Sequence, residues 1–279
     1  MISVGPFSVQ VVVVFAAVLL AWLAASVAAR RLPDRAHKRA GAMVLDAVMW
    51  GLVTARLAYI AQWWEEYSAT PRSMIAIGDG GFSWWAGILA ALAYVWWRSR
   101  PVRALRGPAL MGILVGVMAW VAAQGILEQM RQSALSLPDL QLMALDGRPM
   151  ALQAYAGRPI VLNLWASWCP PCRREMPVFE RAQAEFPHIA FVMLNQGESA
   201  AQALRFLKSE GLALRDVLLD PSSGAMRELR SRGLPTTLFF DEQGSLVHSH
   251  MGELTMASLK STVLRRFDPS LKTDGKSPN

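Results

Sequence analysis

The stretch Leu164–Pro177, "LWASWCPPCRREMP", holds both cysteines of a 279-residue chain and decides how its second half folds. It completes an unbroken apolar run, "RPIVLNLWA" (158–166), suited to a strand buried on both faces. It then opens an amphipathic helix, "PCRREMPVFERAQAEF" (171–186). Two thiols two residues apart at a strand-to-helix junction either exchange a disulfide or supply half of a metal site. The spacing by itself leaves both open.

Around this stretch, short strands and helices alternate. "LQLMALDGRPMAL" (140–152) reads as a hairpin turning at Asp146-Gly147, "IAFVMLN" (189–195) as a second buried strand, and "SAAQALRFLKSEG" (199–211) as a helix closed by Gly211. After "LRDVLLD" and a helix near 222–231 comes "GLPTTLFFDEQGSLVHSH" (233–250), two strands joined through Glu242-Gln243-Gly244. A helix at about 255–267 follows. The pattern predicts an α/β domain over 137–267 with a mixed central sheet, and a disordered polar tail over 268–279.

Upstream the composition changes. Hydrophobic residues make up 53% of the chain and are concentrated before residue 128, so a membrane part precedes the globular one. Four apolar segments, near 7–29, 41–63, 78–97 and 108–127, are read as helices crossing a bilayer, with 128–136 as a linker. The third is the shortest in strongly apolar residues, which begin at Phe82. Tryptophan pairs at 63–64, 84–85 and 96–97 mark headgroup levels. The uncharged start "MISVGPF" lacks the basic region of a cleaved signal, so the first span is expected to stay as an anchor.

The net charge of +7 lies largely in "RRLPDRAHKR" (30–39) and "RSRPVRALR" (98–106), between apolar segments, which sets topology and argues against nucleic-acid binding. The loop 64–80 carries Glu65, Glu66 and Asp79 against Arg72. The basic loops therefore face the cytoplasm. The N-terminus, the acidic loop and everything after residue 128 are expected on the other side of the inner membrane, the periplasm of a Gram-negative cell. There a disulfide persists. Two ionisable residues fall in the second span. Asp46 and Arg56 are about 280° and ~15 Å apart on a helix and do not pair, and Arg56, the deeper, is a candidate functional residue.

The membrane half resembles prolipoprotein diacylglyceryl transferase over roughly residues 1–115, through "SVGPF" (3–7), "AARR" (28–31), "ARLAYI" (55–60) and "GDGGFSWWAG" (78–87). Where that family carries His-Gly-Gly, this chain has Trp85-Ala86-Gly87, so the resemblance implies a degenerate scaffold without transferase activity. A lipid-binding or lipid-modifying protein with an appended redox module is the alternative reading.

The second half resembles the thioredoxin superfamily over 137–267, and within it the membrane-tethered TlpA-like proteins, through "LPDLQLMALDGRPMAL", "RPIVLNLWASWCPPCRREMP" and "GLPTTLFFDEQGSLV". The resemblance implies thiol–disulfide oxidoreductase activity at Cys169 and Cys172 with no cofactor beyond that disulfide. It favours reduction of client disulfides, such as those of apocytochromes c or copper-centre assembly factors, over an oxidase or isomerase role. It also implies a cis Pro235 facing the dithiol, and makes Glu175 an acidic neighbour suited either to proton handling or merely to the helix's first turn.

The residues add their own chemistry. Cys169 at a helix N-terminus is expected to be the exposed attacking thiolate, with Cys172 one turn in as the resolving thiol. Pro170 and Pro171 restrict the loop between them, and Arg173 and Arg174 either favour thiolates or line a solvated face. Trp168 is placed on the surface by the cysteines, Trp165 in the core, and Pro177 in a helix it would bend. Asn163 stands where cytoplasmic thioredoxins carry a buried aspartate, and an amide cannot take up a thiol proton. Zinc would need His248 and His250 beside the cysteines; they are read instead as exposed residues of an edge strand, and no metal is assigned. With no cysteine in the membrane half, electrons cannot be relayed there through thiols, so a separate membrane donor is expected to supply the dithiol.

Overall fold

The computed structural model describes residues 3, 4, 7–32, 36–132 and 136–267; the expected tail, 268–279, lies outside them. The chain divides into two compact units. Of the described residues, those up to 65 and those of 81–129 build one, and residues 66–80 join those from 130 to 267 in the other.

The first unit is helical. A short antiparallel pair, β1 (Ser3–Val4) and β2 (Phe7–Ser8), precedes α1 (Val9–Ala28) and α2 (Ala36–Gln62). After α3 (Trp64–Ala69) come α4 (Trp84–Arg98) and α5 (Arg106–Gln132). Small residues let these helices approach closely. A Cβ at Gly51 of α2 would lie 2.9 Å from the Gly87 carbonyl oxygen of α4, and one at Gly112 of α5 would lie 2.6 Å from that of Ala21 in α1.

Among the described residues three helices, not the expected four, are long and apolar enough to cross a membrane: the spans are Val11–Ala28, Lys38–Gln62 and Arg103–Leu127. The shortfall is α4. Its 15 residues reach only ~22 Å at 1.5 Å per residue, against a hydrocarbon core of ~30 Å. The apolar run that feeds it starts late, and Arg98 and Ser99 close it. The linker expected from 128 is helical as far as Gln132.

The second unit is an α/β domain with a seven-stranded mixed sheet. In chain order its elements are β3 (Gln141–Ala144), β4 (Pro149–Ala151), β5 (Ile160–Trp165), α6 (Pro170–Glu185), β6 (Ala190–Gln196), α7 (Ala200–Ser209) and β7 (Val217–Asp220). Then come α8 (Gly224–Glu228), β8 (Thr236–Phe240), β9 (Leu246–Met251) and α9 (Met256–Phe267). The strand order is β4-β3-β7-β6-β5-β8-β9. β5 is parallel to β6 and antiparallel to β8.

The predominantly apolar strands take the middle: every residue of β5, β6, β7 and β8 is buried. One face of the sheet packs Val161, Trp165 and Phe239 against Met176 and Phe179 of α6, Phe206 of α7 and Leu259 of α9. The opposite face packs Leu162, Val192 and Leu238 against Leu152, Ala225 and Leu229. The dithiol stretch thus leaves the central strand and enters a helix laid on the first face.

Candidate active site

The site starts where β5 ends. Cys169 is the N-cap of α6, in extended conformation, and its sulfur accepts the Cys172 N–H at 3.4 Å. Pro170 and Pro171 occupy the first turn, where the missing N–H groups have no helical partner to lose and φ is already helical. Cys169 and Cys172 are joined by a disulfide. Pro177 lies inside α6.

Cys169 is 3% exposed, not open to solvent as its position had suggested. As N-cap its side chain turns in over the helix start toward Cys172, which is fully buried. Solvent is met instead by Trp168, 67% exposed, while Trp165 packs in the core with its ring centroid 5.5 Å from that of Phe206. Arg173 and Arg174 lie on the exposed face, where Glu210 pairs with the first at 2.6 Å and Glu253 with the second at 2.6 Å.

One turn further along α6 from Cys172 begins a buried polar set. Glu175, one turn beyond Cys172 on α6, has no solvent exposure. Its carboxylate accepts the Asn163 amide (2.8 Å) through Oε1 and the Leu254 N–H (3.1 Å) through Oε2. Desolvation dominates these two bonds and pushes its pKa up to about 8. Asn163, on β5, also donates to Thr237 Oγ1 on β8 at 3.1 Å. An amide there makes Glu175 the one acid of the set.

The Leu234–Pro235 bond is cis and Pro235 is buried. The register pairs Leu164 with Thr236, which sets Pro235 at the end of the sheet from which the dithiol turn departs. Its carbonyl accepts the Gly252 N–H at 2.9 Å.

Three features carry no signal in the sequence. Glu198, 4% exposed in the turn after β6, accepts the Ser167 N–H (2.7 Å), the Ser167 hydroxyl and the Asn195 amide (2.6 Å), so it anchors the residue just before Trp168. An acid in a β–α turn looks like surface. The second is the environment of His248 and His250: both are half-buried rather than exposed, because β9 turns them toward the helix-covered face. His248 stacks 5.4 Å from Phe239, and burial holds the His250 pKa below its usual value. Among the described residues no cluster of three His, Cys, Asp or Glu side chains could hold a metal ion. The third is the segment 66–80, whose Glu66, Tyr67 and Asp79 are bonded within the α/β unit.

In the helical unit, Arg56 is 9% exposed; its Nη1 donates to the Gly81 carbonyl at 2.8 Å and the guanidinium lies 5.7 Å from the Phe82 ring centroid. Asp46 accepts the Tyr94 hydroxyl at 3.2 Å. Trp85 is 54% exposed on α4.

Comparison with known proteins divides the chain at the same place. Residues 132–263 match the redoxin family model, and residues 1–127 match that of prolipoprotein diacylglyceryl transferase. The thioredoxin-like protein YneN of Bacillus subtilis is 31% identical over 160 residues, which are 55% of this chain and 93% of that one. The thiol-disulfide oxidoreductase ResA of Halalkalibacterium halodurans is 31% identical over 113 residues, 40% of this chain and 64% of its own. A DsbE homologue from Paracoccus denitrificans, named a thiol:disulfide interchange protein, is 33% identical over 112 residues, 40% of this chain and 59% of its own.

Proposed function

Since the chain belongs to the redoxin family of thioredoxin-like thiol-disulfide oxidoreductases, we propose that it is a membrane-anchored reductase that opens disulfides in client proteins through Cys169 and Cys172, outside the cytoplasmic membrane. In this cycle the reduced Cys169 thiolate attacks a client disulfide and forms a mixed disulfide. Cys172 then loses its proton and attacks Cys169, and the client leaves reduced while the Cys169–Cys172 disulfide forms. When a donor reduces that disulfide, the proton returns to Cys172.

The observation that carries this reading is Glu175. A carboxyl with its pKa near 8, one turn from the buried Cys172, is largely protonated at neutral pH and suited to exchange a proton with that sulfur. The same surroundings favour the reducing direction. A strong oxidant has a dithiol form stabilised as thiolate. Here Cys172 is buried beside an acid, and the two arginines nearest in sequence are already paired with Glu210 and Glu253. Asn163, Pro235, Trp168, Pro170 and Pro171 shape the site in this account.

Two further parts of the proposal rest on the chain's organisation. With both cysteines in one motif, reducing equivalents come from a separate membrane protein. The bonds that hold Glu66 and Asp79 to α9 and its cap support a common side for 66–80 and the redox domain, which the acidic loop predicts to be the outer one. An even number of crossings between Gly80 and Met130 would satisfy this: α5 is one, and α4, short as it is, is the segment available for the other.

Equilibration of the full chain with glutathione tests the direction. The expected potential is well below the ≈ −120 mV of the strong oxidant DsbA. A value at that level would make the protein an oxidant.

A further inference from the structure

The loop between β9 and α9, Gly252–Thr255, bonds to a different part of the site at each residue. Gly252 N–H donates to the Pro235 carbonyl (2.9 Å), Glu253 pairs with Arg174 (2.6 Å), and Leu254 N–H donates to Glu175 (3.1 Å). Thr255, 6% exposed, donates its hydroxyl to Asp79 Oδ2 at 3.1 Å. Asp79 comes from the segment 66–80, almost two hundred residues earlier, and is itself 3% exposed. The hydroxyl of the fully buried Tyr67 donates to the same oxygen at 2.6 Å.

Thr255 is also the cap of α9. Its Oγ1 accepts the Ser258 N–H (3.2 Å) while Ser258 Oγ accepts the Thr255 N–H (3.0 Å), so the cap and the Asp79 contact fix one hydroxyl between them. A carboxylate at this helix start is favoured by the helix dipole. The segment has a second anchor, on the helices rather than on this loop: Glu66 accepts Lys260 of α9 (3.1 Å) and Arg181 of α6 (3.3 Å). Of these two anchors, the Asp79 one bonds to the loop that serves Glu175.

We infer that Asp79 is a positioning residue of the redox site: through Thr255 it holds the β9–α9 loop so that the Leu254 N–H stays aimed at Glu175. This deepens the proposed thiol–disulfide activity and rests on it. A hydrogen bond to the ionised carboxylate favours ionisation. Slackening the loop therefore keeps Glu175 protonated to higher pH. The charged groups facing this corner are Glu253, which disfavours ionisation of Glu175, Arg174 paired with it, and His250 on β9, whose pKa burial lowers while the Glu253 backbone and Asp79 oppose.

The test uses the full chain in detergent. The rate of reduction of its disulfide by dithiothreitol is measured against pH, each rate divided by that of Glu175→Gln to cancel the reagent's own ionisation. The wild-type ratio should fall as Glu175 loses its proton. In Asp79→Ala that fall should move up by about half a pH unit, and Asp79→Asn, which keeps an acceptor oxygen, should restore it. Glu66→Gln, at the other anchor, should leave it in place. If Asp79→Ala does not fold, Thr255→Val severs the same contact from the other side and should give the same shift. An exchanging wild type with an unmoved fall in the folded variant overturns this inference alone. A wild type whose disulfide does not exchange overturns it together with the proposed function.

Discussion

At the scale of single residues, the proposed chemistry turns on Glu175. The sequence shows a glutamate three positions after Cys172 and leaves two roles for it; its burial and its two partners support the proposed proton handling. In the folded chain its pKa rises from 4.5 to about 8. A raised acid pKa means that the native state holds the proton more tightly than the unfolded chain does. Its stabilising contribution is complete below pH 4.5 and is lost as pH rises through 8. Oxidised protein should therefore lose stability across that range, by on the order of a few kcal/mol, and Glu175→Gln should flatten the dependence. Denaturant midpoints at several pH values check this; equal slopes for the two proteins would contradict it. Cys169, Cys172 and Trp165 were legible because motif and apolar pattern place them. The burial of Cys169 was not, since an N-cap position says nothing of which way the sulfur turns.

At the scale of elements, the helices of the redox domain and its strands other than β7 could be read ahead of the structure, while β7 emerges from the short segment "LRDVLLD", whose sequence does not announce a strand. Strands such as "IVLNLW" are apolar at every position but Asn163, and Gly147, Gly211 and Gly244 punctuate the elements at positive φ. Tertiary partners were harder. Glu198 follows β6 like a surface residue, yet three donors converge on it from Ser167 and Asn195. Glu198→Ala would leave those donors without their acceptor, and should destabilise the domain by roughly 1–3 kcal/mol while loosening the turn before Trp168. Thermal or urea unfolding measures this, and a change below ~0.5 kcal/mol would show that water replaces the carboxylate freely. In the membrane half, α4 shows the limit of apolar length as a signal: hydropathy found the segment, while helix geometry gave it only 15 residues.

At the scale of the whole molecule, the boundary between the two halves is visible in composition, but the membership of 66–80 is not. An acidic loop between apolar segments looks like a connector. Its bonds through Asp79 and Glu66 put it instead in the redox unit, and no local pattern announces a partner so distant in sequence. The transferase-like half supplies helices able to enter a membrane and, lacking cysteine, leaves the exchange chemistry to one motif. The central claim is that this motif exchanges disulfides with client proteins outside the cytoplasmic membrane. Its most direct test is the full chain with Cys172→Ser, in which a mixed disulfide at Cys169 cannot be resolved. Mass spectrometry of the adducts should find proteins of the outer side joined through Cys169 and released by reductant; no adducts, or adducts with cytoplasmic proteins alone, would contradict the account.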